Sequence, residues 1–162
     1  MLISELMIPE LAAEGAMTRR VLARIPADKL TWQPTPELHT IGWNASHLVE
    51  IVGWLPGIVA ASEWDIAPVG GEAAVTPEAT DVAKLLATFD DNLVKALAAL
   101  EGVSDAAMAE PWSLKAGGHT IFTMPKGDCL RKWVFGHTAH HRGIVSVYLR
   151  MAGVPGPSLY EE

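Results

Sequence analysis

Four segments of the chain repeat apolar residues at a spacing near 3.6, and this periodicity is typical of helices packed on one side. The segments run from about Ser4 to Ile25, Ile41 to Ser62, Thr80 to Leu100 and Pro125 to Ala152. The breaks between them contain the proline and glycine residues that stop helices. We therefore predict an all-α fold, a four-helix bundle in a single domain over residues 1–162.

Three stretches depart from this helical pattern. Pro56 lies inside the second segment, where proline removes a backbone hydrogen bond, so we expect a bend after Trp54. Residues 63–79 are rich in Gly, Pro and Ala, and we expect them to form an irregular loop. The stretch from Trp112 to Met124 contains a turn-forming Ala-Gly-Gly, which predicts a short β-hairpin before the last helix.

Composition and charge narrow the possible classes of partner. Hydrophobic residues make up 49% of the chain and charged residues 19%, which favours a packed globule over disorder. The net charge is -7, and the 12 Lys and Arg residues form no cluster, so we expect no nucleic-acid partner. The apolar stretch Ile51–Ser62 is 12 residues long, short of the ~20 needed to cross a bilayer. A single cysteine and no leader-like N-terminus predict a cytoplasmic protein.

Two histidines occupy positions on the fourth segment where the periodicity calls for apolar residues. His137 and His141 lie on the stripe that includes Val134 and Val145, so both should face inward. At ~100° and ~1.5 Å per residue, four residues separate them by about 40° and ~6 Å, which suits binding of one ion. His140 is an alternative partner for His137 at the i,i+3 spacing.

His47 on the second segment is the third candidate ligand. It shares its helical spacing with Trp43, Ile51 and Trp54, so it also lies among large apolar side chains. If the second and fourth helices are neighbours, the three imidazoles converge. Three neutral nitrogen ligands with an open position are typical of catalytic zinc, and nickel, iron or cobalt accept the same ligands. The alternative for each histidine alone is an ordinary core or surface residue.

Other side chains near these positions each have a functional and a structural interpretation. Glu50 is a candidate general base, or else a solvent-exposed carboxylate. Trp43 and Trp54 either wall a substrate pocket or fill the core, and Tyr148 either binds a ligand or packs.

The remaining reactive residues are expected to lie outside the metal site. Arg142 follows His141 by ~100° around the helix, which predicts an ion pair between helices or subunits. Cys129 is interpreted as a buried structural thiol. The other histidines are predicted to be surface residues, with His119 the one that a loop can bring in as a fourth ligand: His39, His119 and His140.

Three sequence motifs resemble those of the DinB/YfiT superfamily of metal-binding four-helix bundles: LTWQPTPELHTIGWNASHLVEIVGWL, FGHTAHHRGIVSVYLRMAGVP and the ending PGPSLY. The resemblance covers nearly the whole chain. It implies that His47, His137 and His141 are the metal ligands, which selects His141 over His140. It also implies long crossover connections and a homodimer.

The resemblance implies a type of chemistry and leaves the substrate open. Members of this superfamily include transferases and isomerases that use bacillithiol or mycothiol, and proposed metal-dependent hydrolases. No thiol-cofactor signature is recognisable here, and Pro56 and the 63–79 loop depart from the pattern. We therefore predict a zinc- or nickel-dependent hydrolase or thiol transferase that acts on a small molecule. The alternative is a non-catalytic stress-response protein whose ion is structural.

Overall fold

The computed structural model describes residues 1–157, and Ser158–Tyr160 of the PGPSLY motif lie outside the described residues. Helices and strands are bounded as follows: α1 Ile3–Leu22, α2 Ile41–Ala60, β1 Glu63–Asp65, α3 Val82–Leu100, α4 Asp105–Ala109, β2 Pro111–Ala116, β3 His119–Pro125, α5 Lys126–Leu130 and α6 His137–Met151. A 3₁₀ turn spans Ala27–Lys29, and a π-helical turn, Arg131–Gly136, joins α5 to α6. The predicted helical class is confirmed.

The helix boundaries follow from local capping chemistry. The Thr40 side chain accepts a hydrogen bond from the Trp43 amide, which starts α2 where the sequence predicts a cap. Asp81 accepts two amide hydrogen bonds at the start of α3, two residues later than the predicted helix start. Helix α1 ends at Leu22, before the predicted Ile25, because the chain tightens into turns ahead of Pro26.

The long helices pack through their apolar faces around one hydrophobic core. Helix α2 contacts α3 and α6, and α1 contacts the same two helices from the other side. The second helix continues through Pro56 to Ala60. Its fully buried side chains include Leu48, Ile51 and Leu55. This arrangement places the inward side of α2 directly beside α6. None of the helices within residues 1–157 is both long enough and apolar enough to span a membrane.

A small three-stranded sheet packs beside α5. Strands β2 and β3 form the predicted antiparallel hairpin, turning through Gly117 and Gly118, which both have positive φ angles. The prediction of an irregular loop over residues 63–79 is wrong at its start, because β1 pairs in parallel with β2. This pairing is long-range, so no local periodicity could indicate it. The Asp65 carboxylate accepts hydrogen bonds from the backbone amides of both turn glycines.

Arg142 forms an ion pair between helices, as its position on α6 predicts. Its guanidinium donates to the Glu14 carboxylate and to the Thr18 hydroxyl, both on α1. The arginine is buried, so these partners compensate for the loss of its hydration. The contact holds α6 against α1 on the side away from the histidines.

Candidate metal centre

Two neighbouring helices bring the three predicted histidines together. His47 comes from α2, and His137 and His141 come from α6. One ring nitrogen of each lies within 4.8 Å of the others, and the Nε2 atoms of His137 and His141 are 3.1 Å apart. The predicted convergence is confirmed, and this group can hold a metal ion. Metal binding itself stays a prediction.

A π-helical turn immediately precedes the first of the two α6 ligands. The turn spans Arg131–Gly136, and His137 is the first residue of α6. A π turn is wider than an α turn, so it rotates the residues before it relative to those that follow. Trp133, inside the turn, lies four residues before His137, and 5.8 Å separates the centroids of the two rings. Such turns are frequent at functional sites.

Asn44 fixes the orientation and tautomer of His141. The Asn44 side-chain amide nitrogen donates to the Thr40 carbonyl at 2.8 Å, so the amide oxygen must face the other way. That oxygen accepts from Nδ1 of His141 at 3.0 Å. Nδ1 therefore carries the proton, and the lone pair of Nε2 points toward the other histidines. This is the tautomer that binds a metal through Nε2.

Thr76 and Glu50 act on His47 in the same way. The Thr76 hydroxyl donates to the Glu50 carboxylate at 2.6 Å, which leaves the hydroxyl oxygen to accept from His47 Nδ1 at 3.0 Å. The same carboxylate oxygen lies 3.4 Å from Nδ1. His47 therefore also carries its proton on Nδ1 and presents Nε2. Carboxylate partners of this kind orient and strengthen histidine ligands in metal sites.

Burial keeps the two α6 histidines in their neutral form. Burial first, and then the charge that His47 would carry, lower the pKa of His137 to about 4 and that of His141 to about 3. The backbone carbonyl of Trp133 raises the pKa of His137. Neutral imidazoles keep their lone pairs at neutral pH, so these two residues need no deprotonation to bind a cation.

These pKa shifts make the metal-free protein sensitive to acid. The unfolded chain takes up protons on these histidines near pH 6.5, whereas the folded chain resists until about pH 4 or below. Stability is therefore present above pH 6.5 and is lost as the pH falls. We expect each of the two histidines to lower the free energy of unfolding by on the order of 3 kcal/mol between pH 7 and pH 4. Urea titrations at each pH measure this.

The comparison that isolates the histidines uses a variant that cannot titrate. His141→Gln should lose less stability than the wild type over the same pH range, because the amide takes up no proton. His119→Gln removes an exposed histidine outside the ligand group and should behave like the wild type. Equal acid sensitivity in the wild type and His141→Gln would contradict the assignment.

Two tryptophans enclose the His47 ring. Trp43 stacks on it with 4.9 Å between centroids, and His39 stacks on the far side of Trp43 at 3.6 Å. Trp54 meets the His47 ring edge at 5.4 Å and lines the adjoining cavity. Of the two interpretations, Trp54 fits that of a pocket wall. Trp43 covers the ligand and does not line the cavity.

A cavity of about 610 Å³ opens beside the histidines. His47 and His137 line it, together with Glu50 and Trp54. Cys129 is buried and also lines it, and burial raises the pKa of its thiol to about 11, so the thiol stays protonated at neutral pH. The predicted buried thiol is confirmed, but it lies at the cavity wall.

The remaining candidates do not join the ligand group. Tyr148 packs edge-on against Trp32, with 5.8 Å between the ring centroids. Of its two interpretations, this contact fits packing and not ligand binding. The three histidines predicted on the surface are exposed, and within residues 1–157 none of them joins the ligand group: His39, His119 and His140.

Sequence reasoning missed three residues that build the site. Asn44 precedes His47 by three residues on α2, so its place on the same helix side was a readable signal. Thr76 lies between helices in a segment without periodicity and gave no signal. Trp133 precedes His137 by four residues, so the i,i+4 spacing was a signal for its place beside that ligand.

Comparison with known proteins assigns the chain to a family. A sequence model described as the DinB superfamily matches residues 10–145. A crystal structure of a DinB-like protein from Bacillus cereus has 21% identity and a TM-score of 0.69, covering 94% of each chain. A DinB-like protein from Bacillus subtilis has 14% identity and a TM-score of 0.71, covering 97% of this chain and 99% of its own. No curated protein matches the chain.

At these identities the two crystal structures show a shared fold, whereas the family match covers most of the sequence. The helices that carry His47 and the start of α6 with His137 and His141 lie inside the matched range. The chain belongs to the DinB superfamily.

Proposed function

We propose that this protein is a divalent-metal-dependent enzyme that acts on a small molecule. One observation carries the proposal: His47 and His137 belong both to the ligand group and to the wall of the 610 Å³ cavity. A metal held by these residues would have a coordination position on the cavity side. Catalytic zinc sites keep such a position, whereas structural zinc sites are closed by four protein ligands.

The donor set fits a borderline transition metal. His47, His137 and His141 would hold it through Nε2, and zinc or nickel suits three imidazoles, with iron or cobalt as alternatives. When bound, a divalent metal supplies Lewis acidity that lowers the pKa of a water or a thiol. Either nucleophile supports the proposed reaction classes, which are hydrolysis and thiol transfer.

The residues around the ligands supply orientation and shielding from solvent. Asn44 and the Thr76–Glu50 pair hold the proton on Nδ1 of their histidines. Glu50 is half-buried and is the one carboxylate among the cavity-lining residues of the described chain. Its engagement with Thr76 and His47 supports a positioning role over that of a free general base.

The experiment that tests the proposal compares one preparation with and without metal. Protein loaded with zinc or nickel is screened against ester and amide substrates, and against small thiols paired with electrophiles. We expect turnover that chelation removes and added metal restores. Stoichiometric metal binding without turnover on either panel would favour the alternative, a non-catalytic metal-binding protein.

Removing the outer partners of His47 should weaken metal binding. We expect Glu50→Ala and Thr76→Val each to reduce zinc affinity about 10- to 100-fold, because Nδ1 loses an acceptor that fixes its tautomer. Competition with a chromophoric chelator measures the affinity. Thr88→Val is the matched control, since the Thr88 hydroxyl donates to the carbonyl of Lys84 on α3 and lies outside the ligand group. The zinc affinity of this variant should equal that of the wild type. Unchanged affinity in both site variants would refute the positioning role.

The homodimer stays a prediction from the family resemblance. Light scattering on the eluting protein measures the mass directly, and we expect twice the 17.4 kDa of one chain. A mass of one chain at micromolar concentration would contradict it.

A further inference from the structure

Two rows of aromatic side chains line the cavity, and both begin beside the His137 ring. The first row comes from α2 and β1. The Trp54 ring lies 5.7 Å from that of His137, and Trp64 follows with its centroid 6.0 Å from Trp54. Both tryptophans line the cavity, and Trp64 is 37% exposed, so it lies at the mouth.

The second row comes from the π turn and the hairpin. Trp133 lies 5.8 Å from the His137 ring, and Phe122 stacks on Trp133 at 5.3 Å with only 3° between the planes. Trp112 continues the row, 6.2 Å from Phe122. All three line the cavity. Five aromatic rings in two rows therefore provide large apolar faces beside the ligand group.

The rest of the wall adds apolar surface and few free polar groups. Aliphatic residues include Ile58, Ile66 and Leu114. Two lining polar side chains are already engaged: Glu50 bonds to Thr76, and Asn92 donates to the Val49 carbonyl. The buried indole N–H groups of Trp112 and Trp133 have no hydrogen-bond partner among the described residues. No Lys or Arg from the part of the chain that the structure describes lines the cavity. A ligand entering here meets rings and aliphatic carbons.

Charge separates the possible ligands. An anionic group placed between the aromatic rows would lie in the same cavity as the Glu50 carboxylate with no cationic side chain to compensate it, in a chain of net charge -7. An uncompensated charge in an apolar cavity is costly. An uncharged aromatic body loses little hydration and gains stacking and edge contacts with the indoles.

We propose that the cavity binds an uncharged small molecule with an aromatic body, and that one donor atom of this molecule faces the histidine group. The placement of the donor atom rests on the proposed function, whereas the binding of the aromatic body does not require metal. The volume of about 610 Å³ lies within the range of drug-sized ligand sites, so it accommodates more than a single ring.

Two probes with the same ring system test the proposal. 2-Naphthol is uncharged at neutral pH, and 2-naphthoate is an anion. Each is titrated calorimetrically into chelator-treated, metal-free protein. We expect saturable binding of 2-naphthol at one site and affinity at least about tenfold lower for 2-naphthoate, a difference of ~1.4 kcal/mol. Equal affinities, or no saturable binding of 2-naphthol, would overturn the proposal.

A pair of matched variants locates the binding. Trp64→Ala removes a partly exposed wall of the cavity and should weaken 2-naphthol binding about tenfold. Trp32→Ala is the control, because Trp32 packs against Tyr148 and does not line the cavity, and its affinity should stay at the wild-type value. Thermal melts check that both variants are folded. Binding that Trp64→Ala leaves unchanged, or that Trp32→Ala weakens equally in folded protein, would place the probe elsewhere and overturn the proposal.

Zinc binding measured on the same samples separates the two proposals. Protein that binds 2-naphthol and no zinc would contradict the metal-dependent function and leave the aromatic site standing. Protein that binds zinc and neither probe would contradict the aromatic site and leave the metal centre standing.

Discussion

His137→Ala is expected to abolish stoichiometric metal binding while the helices stay folded. His137 supplies one of three nitrogens, and its Nε2 lies 3.1 Å from that of His141, so its loss leaves only two donors. We expect zinc affinity to fall at least about 100-fold, since removal of a direct ligand costs more than removal of an outer partner. Metal analysis after gel filtration gives the stoichiometry, and far-UV circular dichroism gives the helix content.

His140→Ala is the matched control for this result. His140 is exposed on α6 and lies outside the ligand group, so this variant should bind zinc as the wild type does. Stoichiometric zinc retained by His137→Ala would refute the ligand assignment. A collapsed helical signal would instead indicate that the ion holds the fold together, which the large apolar core argues against.

Phe89→Ala is expected to have the opposite effect, with lower stability and an intact metal site. Phe89 is fully buried on α3, which packs against both α1 and α2. Truncation of a buried phenylalanine removes apolar contacts and leaves a cavity, at a cost of about 3–5 kcal/mol. Chemical denaturation measures the change in unfolding free energy, and the folded fraction should still bind one zinc ion per chain.

Val94→Ala on the same helix separates burial from helix propensity. Val94 is 67% exposed, so its truncation should change stability by no more than ~0.5 kcal/mol. Comparable losses of unfolding free energy in Phe89→Ala and Val94→Ala would mean that Phe89 does not lie on the buried face of α3. Loss of zinc binding by folded Phe89→Ala would mean that the core and the metal centre are coupled.

The positions of the long helices could be predicted from the sequence because the signals that set them are local. Apolar spacing, Thr40 as a cap and the proline and glycine breaks each act within a few residues, so they predict helix positions to within a few residues. The last helix shows the limit of this reasoning. Its stripe correctly predicts that His137 and His141 share one side, but the π turn at Arg131–Gly136 interrupts the pattern without a sequence signal.

The ligand group was predictable only in part. The i,i+4 spacing fixed the relation of His137 to His141, because residues four apart on a helix are always neighbours. Their relation to His47 needed the packing of α2 against α6, which spacing within either helix leaves open. The resemblance to a known family supplied that relation before the structure did.

The surroundings of the ligands were decided by tertiary structure alone. Thr76 reaches His47 from 29 residues away, and Asn44 reaches His141 from 97 residues away. The cavity exists because four separate segments place aromatic rings side by side: α2, β1, the hairpin and the π turn. By itself, the sequence determined which residues form helices and which histidines face inward, since both follow from local periodicity. Only the packed structure decided the tautomers and the shape of the space beside them, because these depend on contacts between residues far apart in the chain.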